Sequence, residues 1–262
     1  MARSWPRAVL IVIAVAVVGA GAAFGFARSD RPSPPGAVQL VAGPARAASL
    51  TGAWEAAPPP PPTAYTVADA AGPVVHLYES PGVPLADKPA LDNPTWENLA
   101  VVFLVLKEER GWLQVRVSSR PNNLTAWVQA SEVRLREVPN RVLIEVGARR
   151  VTVLHGDEVL LQEQVAVGTD ATPTPIGNFF VDGAVRVPNA GGPYGPYQVS
   201  VSGFSNVLQS FGGGVGQIAM HGTNRPDLIG QPVSNGCIRM PNEIIAEMVD
   251  LAPSGTPVDI VP

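Results

Sequence analysis

The sequence predicts a mainly β protein, and three observations lead to this prediction. The chain of 262 residues contains 28 prolines and 26 glycines, which break helices and form turns. Short segments rich in valine, leucine and aromatic residues alternate with these turn residues, as is typical of strands. Long stretches with helical periodicity are scarce. We therefore expect β-rich domains and at least one helix near the C-terminus.

Residues 1–27 have the features of a signal peptide or membrane anchor. Arg3 and Arg7 precede an uncharged run from Ala8 to Ala27, which is long enough for a bilayer core of roughly 30 Å. Basic residues before such a run favour a cytoplasmic N-terminus. The run is longer than the core of a cleaved signal peptide. Either interpretation places the rest of the chain outside the cytoplasm, in the cell envelope, anchored to the membrane or secreted.

Residues 28–63 predict a linker. This segment is rich in alanine, proline, serine and glycine, and it ends close to five consecutive prolines at positions 58–62. Such a composition cannot bury a hydrophobic core and favours a semi-extended spacer.

Residues 64–137 predict a small domain of short strands. The segment EERGWLQVRV indicates a hairpin with Gly111 in its turn, and Trp112 and Trp127 are expected in the core. A ligand platform is the alternative for these two tryptophans. Through FLVLKEERGWLQVRV and RPNNLTAWV, this stretch resembles bacterial SH3-like domains. That resemblance implies either binding of wall polymers or peptides, or a spacer.

Residues 140–262 predict a second β-rich domain with a C-terminal helix. Alternating apolar residues from Val142 to Val153 indicate strands with one buried face, connected as a meander. Residues 188–216 contain PNAGGPYGP and FGGGVG, so we expect a loop that covers a site rather than a core strand. The segment NEIIAEMVDLA predicts a helix between Pro241 and Pro253.

The composition argues against several functions. The net charge is −4 and no basic stripe is present, so a nucleic-acid partner is not expected. No Lys-Ser or Lys-Thr follows FGGGVG, which argues against a phosphate-binding P-loop. The three histidines and single cysteine lack the spacing of a metal site, so we expect neither a metal nor a cofactor.

Cys237 is the only cysteine and therefore cannot form an internal disulfide. In an exported chain such a cysteine either pairs with another chain or is a reactive thiol, and the alternative is a buried structural residue. His221 ends a predicted strand 16 positions earlier, and the loop between them allows the imidazole to reach the thiol. A neighbouring imidazole is what a cysteine nucleophile requires.

Two further elements of a thiol site can be assigned from the residues. No acidic residue stands where it would orient the imidazole, so a main-chain carbonyl near Gly222 is the candidate. The N–H groups of Asn235, Gly236 and Cys237 are candidate donors to an oxyanion, since glycine allows substrate to approach the main chain.

These residues carry a family resemblance. The chain resembles the L,D-transpeptidases with a YkuD-type catalytic domain in three segments: MHGTNRP, GQPVSNGCIRM and TPTPIGNFFV. The resemblance implies Cys237 as nucleophile and His221 as general base and acid. It also implies that Ser234 shapes the nucleophile turn and that Arg239 binds a substrate carboxylate or supports the site. Asn235 departs from the pattern, because the family usually has histidine there.

The chemistry implied by the resemblance is acyl transfer in cell-wall cross-linking. Cys237 would attack the L,D-peptide bond of a peptidoglycan tetrapeptide stem, and an amine of a second stem would take the acyl group. With water as acceptor the same site would be an L,D-carboxypeptidase. Carbapenem adducts at Cys237 are also implied. A catalytically silent wall-binding protein is a further alternative, as is a papain-like peptidase, although papain-like enzymes place the cysteine before the histidine.

Overall fold

The computed structural model describes residues 59–95 and 98–262. The predicted signal or anchor segment, and the linker as far as residue 58, lie outside the described residues. Within the described ranges, no helix is both long and apolar enough to cross a membrane. The prediction of a mainly β fold is confirmed, since one α-helix accompanies the strands in these ranges.

The first β region comprises residues 65–138 and is built on a seven-stranded sheet of order β4-β3-β8-β7-β6-β1-β9, with β2 and β5 paired separately. The predicted hairpin is present: β6 and β7 pair antiparallel, with Arg110 and Gly111 at positive φ in its turn. The SH3-like character of this region stays a prediction. Its strands are β1 (Tyr65–Ala70), β2 (Val74–His76), β3 (Tyr78–Ser80), β4 (Val83–Pro84), β5 (Ala90–Asp92), β6 (Val102–Glu109), β7 (Trp112–Arg116), β8 (Thr125–Gln129) and β9 (Val133–Val138).

The expectation that Trp112 and Trp127 occupy the core is wrong. Leu113 and Val115 are fully buried in this region's hydrophobic cluster. Because side chains alternate across a strand, Trp112 lies on the opposite face. Both tryptophans are half-buried there. Trp112 meets the Tyr78 ring edge-on at 4.8 Å, and Lys107 Nζ lies 5.7 Å from the Trp127 ring centroid.

The second β region comprises residues 141–261 and contains an eight-stranded sheet of order β12-β11-β10-β19-β14-β15-β16-β18. The predicted meander is confirmed, since β10, β11 and β12 pair antiparallel in sequence. Its strands are β10 (Arg141–Glu145), β11 (Arg150–His155), β12 (Glu158–Gln164), β13 (Val167–Gly168), β14 (Gly177–Arg186), β15 (Tyr197–Phe204), β16 (Gln217–His221), β17 (Pro232–Ser234), β18 (Ile238–Arg239) and β19 (Pro257–Val261).

The expectation that residues 188–216 hold no core strand is wrong. Strand β15 crosses the middle of this segment, between β14 and β16. Val199 and Val201 are fully buried in the core. The glycines of PNAGGPYGP and FGGGVG lie in the two connections on either side of β15, and the second connection is the 205–216 loop.

The predicted helix is confirmed as α1 (Asn242–Leu251), directly after Pro241. Ile245 and Met248 are fully buried, while Ile244 and Val249 pack against the same cluster from its edge. The apolar face of the helix thus covers one side of the second sheet.

The two β regions belong to one compact unit and share hydrophobic packing. Phe180, on β14, is fully buried in a cluster with residues of the first region. Arg136 of the first region donates to Asp69 and to the carbonyl of Ser254 in the second region, at 2.8 Å for the latter. The other members of the Phe180 cluster are Val67, Val102, Leu104 and Val138.

Candidate active site

One face of strands β16 and β18 carries the predicted site residues. The strands pair in parallel, with Met220 opposite Ile238, both of which are buried in the core. Side-chain alternation therefore turns the residues on either side of them to the opposite face. These residues are Ala219, His221, Cys237 and Arg239.

This register also limits the separation of His221 and Cys237. If the pairing continues by one residue, Cys237 lies beside Ala219 on β16. Ala219 precedes His221 by two positions on that strand. With strands about 4.8 Å apart and a rise of about 3.3 Å per residue, the Cα atoms of His221 and Cys237 are about 8 Å apart. Side chains on one face can meet across that distance.

His221 is held as a neutral imidazole. Its Nδ1 lies 2.6 Å from the carbonyl oxygen of Gly222. Because a carbonyl can only accept, Nδ1 carries the hydrogen, and Nε2 is the unprotonated nitrogen. Burial lowers the pKa of His221 to about 4; the Gly222 carbonyl opposes this shift and Arg239 adds to it. The Tyr194 ring lies 4.7 Å from the imidazole, between ring centroids.

Cys237 is half-buried and lines a cavity of about 500 Å³. Burial raises the pKa of its thiol. A main-chain hydrogen bond from Ala219 and the positive charge of Arg239 lower this pKa by a smaller amount. The raised thiol pKa and the lowered imidazole pKa both favour the neutral forms of these two groups. The cavity walls come from β15, β16, Tyr194 and the 205–216 loop.

Ser234 closes the turn that carries Cys237. Its hydroxyl donates to the Cys237 carbonyl at 2.6 Å and accepts the Gly236 N–H at 3.1 Å. Gly236 has φ of 110°, a conformation that L side chains rarely adopt. Glycine at this position is therefore required by the backbone.

The oxyanion assignment needs one correction. The N–H of Gly236 is already donated to Ser234, so it is not free for a substrate oxygen. Among the described residues, no acceptor faces the N–H of Asn235 or that of Cys237. Those two groups stay the candidate donors.

Arg239 lies next to His221 in register and influences the charge of His221, Cys237 and Tyr194. Its Nε is buried without a hydrogen-bond partner in the described part of the chain. No carboxylate of the described residues forms an ion pair with its guanidinium. The charge of Arg239 is therefore not neutralised by a carboxylate of the described residues, which suits an anionic ligand.

Comparison with known proteins supplies the family. Residues 139–260 match the YkuD family, described as the L,D-transpeptidase catalytic domain. A protein of Bacillus licheniformis, provisionally named L,D-transpeptidase YkuD, is 37% identical over 125 residues, covering 48% of this chain and 67% of that protein. The chain belongs to the YkuD L,D-transpeptidase family.

A second relative from Bacillus agrees with this assignment. The Bacillus subtilis protein with the same provisional name is 37% identical over 123 residues, covering 47% of this chain and 66% of its own length. The chain thus spans about two thirds of these relatives. L,D-transpeptidase 3 from Mycobacterium tuberculosis, solved with a faropenem-derived adduct, is 16% identical. The match covers 58% of this chain and 91% of that structure, with a TM-score of 0.39, too low to support any argument about function.

Two threonines of this YkuD domain, missed from the sequence, hold the nucleophile turn. The buried Thr174 hydroxyl donates to the Gly236 carbonyl at 3.0 Å and accepts the Gly168 N–H at 2.9 Å. Thr172 donates to the Ser234 carbonyl at 3.1 Å. Threonine alternating with proline in TPTP was the available signal, because proline restricts the backbone next to each of these threonines.

Gly222 and Asn235 occupy different surroundings. A side chain at Gly222 would collide with Asn242, whose Oδ1 accepts the Thr223 N–H at 2.8 Å. Gly222 is therefore fixed by close packing at the end of β16.

Asn235 is exposed, and its Oδ1 lies 3.5 Å from the Thr172 hydroxyl.

A larger cavity, of about 620 Å³, lies at the junction of the two β regions and does not include Cys237. It shares Val215 and Gln217 with the Cys237 cavity. Gln217 Nε2 donates to Asp182 at 2.8 Å, and the Ser118 hydroxyl donates to the same carboxylate at 2.8 Å. Burial raises the pKa of Asp182. The chemistry assigned above requires a thiol, so the smaller cavity is the candidate active site.

Proposed function

We propose that this protein is a peptidoglycan L,D-transpeptidase that acts on tetrapeptide stems in the cell envelope. One observation carries the proposal: the register of β16 and β18 turns His221 and Cys237 to the same face, and Cys237 lines a cavity there. Membership of the YkuD family supports the reaction class.

The first half-reaction is acylation of Cys237. Nε2 of His221 takes the thiol proton while the sulfur attacks the carbonyl carbon of the L,D-peptide bond. The resulting oxyanion accepts the N–H groups of Cys237 and Asn235. The C–N bond then breaks, the leaving D-alanine amine receives the proton from His221, and a thioester remains.

The second half-reaction transfers the acyl group. The amine of a neighbouring stem attacks the thioester carbon and gives a proton to His221. The C–S bond breaks, the sulfur regains that proton, and a new peptide bond joins the two stems. A water molecule in place of the amine would release a free carboxylate, which is the carboxypeptidase reaction.

Arg239 is the proposed substrate-binding residue. No carboxylate of the described residues pairs with its guanidinium, and arginine can bind a stem carboxylate through two parallel hydrogen bonds. Arg239→Ala should raise KM for stems more than it lowers kcat, and Arg239→Lys should recover part of the loss.

The test is incubation of the purified protein with isolated disaccharide-tetrapeptides, followed by mass spectrometry of the products. Cross-linked dimers support transpeptidation, whereas tripeptides alone indicate carboxypeptidase activity. Cys237→Ser and His221→Ala should each lower the rate at least about a hundredfold. Wild-type rates in either variant would show that the assigned roles are wrong.

A second experiment separates an enzyme from a catalytically silent wall-binding protein. A carbapenem should acylate wild-type protein at Cys237, and the added mass should be absent from Cys237→Ala. An unmodified wild-type protein at neutral pH would argue against a reactive thiol.

A further inference from the structure

The 205–216 loop forms one wall of the Cys237 cavity. Phe211 to Gly216 all line that cavity. Within the loop, Phe211 and Gly214 exchange main-chain hydrogen bonds, while Gly212 and Gly213 have positive φ and open space around them. The tip therefore has few contacts of its own, and the position of this wall depends on how the base of the loop is held.

Arg120, from the first β region, holds the base of this loop from both sides. Its guanidinium donates to the carbonyls of Ser205 at 2.9 Å and Leu208 at 3.0 Å, on the outgoing arm. It also donates to the carbonyl of Val215 at 3.1 Å, on the returning arm. The same guanidinium lies 5.0 Å from the ring centroid of Phe204. A planar group with five donors can bridge three carbonyls, whereas an ammonium at the end of a flexible stem cannot do so in one geometry.

Asn122 provides a second attachment from the same connection between β7 and β8. Its side chain donates to the Phe204 carbonyl at 2.7 Å and accepts the Phe204 N–H at 2.8 Å. It also donates to the Asn206 side chain at 3.2 Å. The first region thus satisfies polar groups of the second region where β15 ends and the loop begins.

We propose that Arg120, supported by Asn122, is a positioning residue that fixes the 205–216 loop as a wall of the active site. The first β region is then a structural part of the substrate cavity as well as a separate sheet. The expected effect of Arg120 on kinetics rests on the proposed function. Its effect on the position of the loop can be measured without turnover.

Amide hydrogen exchange of the intact protein tests the structural consequence. In Arg120→Ala, residues 205–216 should exchange about tenfold faster than in wild type, because the loop opens locally. Arg120→Lys should also exchange faster, and the control Arg134→Ala, at an exposed position of the same region, should match wild type. The strands of both sheets should keep wild-type protection.

Kinetics test the functional consequence. Arg120→Ala should lower kcat/KM for stem peptides about tenfold, since a displaced cavity wall misplaces substrate. The pH profile of kcat should be unchanged, because Arg120 contacts neither His221 nor Cys237.

Two results would overturn the proposal: wild-type exchange of the loop in Arg120→Ala, or uniform acceleration across both sheets, which indicates general destabilisation. If Arg120→Ala does not fold, Asn122→Ala is judged by the same measurements. If wild-type protein fails to process any stem peptide, the proposed function is wrong, while exchange still decides whether Arg120 holds the loop.

Discussion

The hydroxyl of Thr174 donates to the carbonyl of Gly236, the residue before Cys237, at 3.0 Å. The same hydroxyl accepts the N–H of Gly168 at 2.9 Å. One buried side chain, 62 positions before Gly236, therefore ties the nucleophile turn to β13. The turn is positioned by a distant threonine and not by its own residues alone.

Replacing Thr174 with valine should destabilise the protein and lower the reactivity of Cys237. Valine has nearly the same shape but leaves a buried carbonyl and a buried N–H without partners, at a cost of about 1–3 kcal/mol. Urea unfolding and the rate of carbapenem acylation measure the two effects. Thr174→Ser keeps the hydroxyl and is the matched control. Unchanged stability in Thr174→Val would mean that these hydrogen bonds are replaced without loss.

The reactivity of Cys237 toward iodoacetamide should increase with pH up to alkaline values. Burial raises the pKa of this thiol above its ordinary value of 9.0, and burial also keeps His221 neutral at pH 7. Both shifts disfavour a thiolate–imidazolium pair, so His221→Gln should leave the profile largely unchanged. A reactive plateau below pH 7 that disappears in His221→Gln would contradict this interpretation.

His221 should make stability sensitive to acid. Its pKa falls from 6.5 to about 4 in the folded protein, mainly through burial. Below pH 6.5 the unfolded chain binds a proton that the folded protein takes up only near pH 4. Above pH 6.5 His221 therefore costs no free energy of unfolding. As the pH falls toward 4, the free energy of unfolding decreases by about 3 kcal/mol.

Replacement of His221 with glutamine should remove this acid-dependent loss. The measurement is urea unfolding of both proteins between pH 7 and pH 4, taken as a difference between them. His155→Gln, at the end of β11, controls for the loss of a histidine as such. A constant difference between wild type and His221→Gln across this range would be incompatible with a buried neutral imidazole.

Much of the second region could be predicted because its sequence pattern is local. Apolar residues alternate along β10 and β11, as expected for strands with one buried face. All four of these residues are fully buried: Val142, Ile144, Val151 and Val153. The apolar face of α1 follows in the same way from its spacing. His221 and Cys237 could be paired in advance because the intervening segment returns to the same strand edge.

The features that escaped prediction depend on long-range contacts or on competing signals. In β15 the flanking glycines obscured the alternation of Val199 and Val201, which the structure buries. The size of Trp112 suggested the core, although the alternation of Leu113 and Val115 already placed it on the other face. Arg120 reaches a carbonyl 85 positions away, and no local pattern indicates such a partner.

Phe180 should couple the stability of the two β regions. It belongs to the second sheet but is fully buried among side chains of the first region. Phe180→Ala should cost about 3–5 kcal/mol through lost burial and a residual cavity. The two tryptophans that the structure describes, Trp112 and Trp127, lie in the first region, so their fluorescence reports on that region. The substitution should nevertheless lower the urea midpoint of this signal, because removing Phe180 weakens packing that both regions share. Phe211→Ala, at a position 48% exposed in the second region, is the control and should leave the midpoint nearly unchanged. If the tryptophan midpoint stays at its wild-type value while circular dichroism reports loss of the second sheet, the two regions unfold independently.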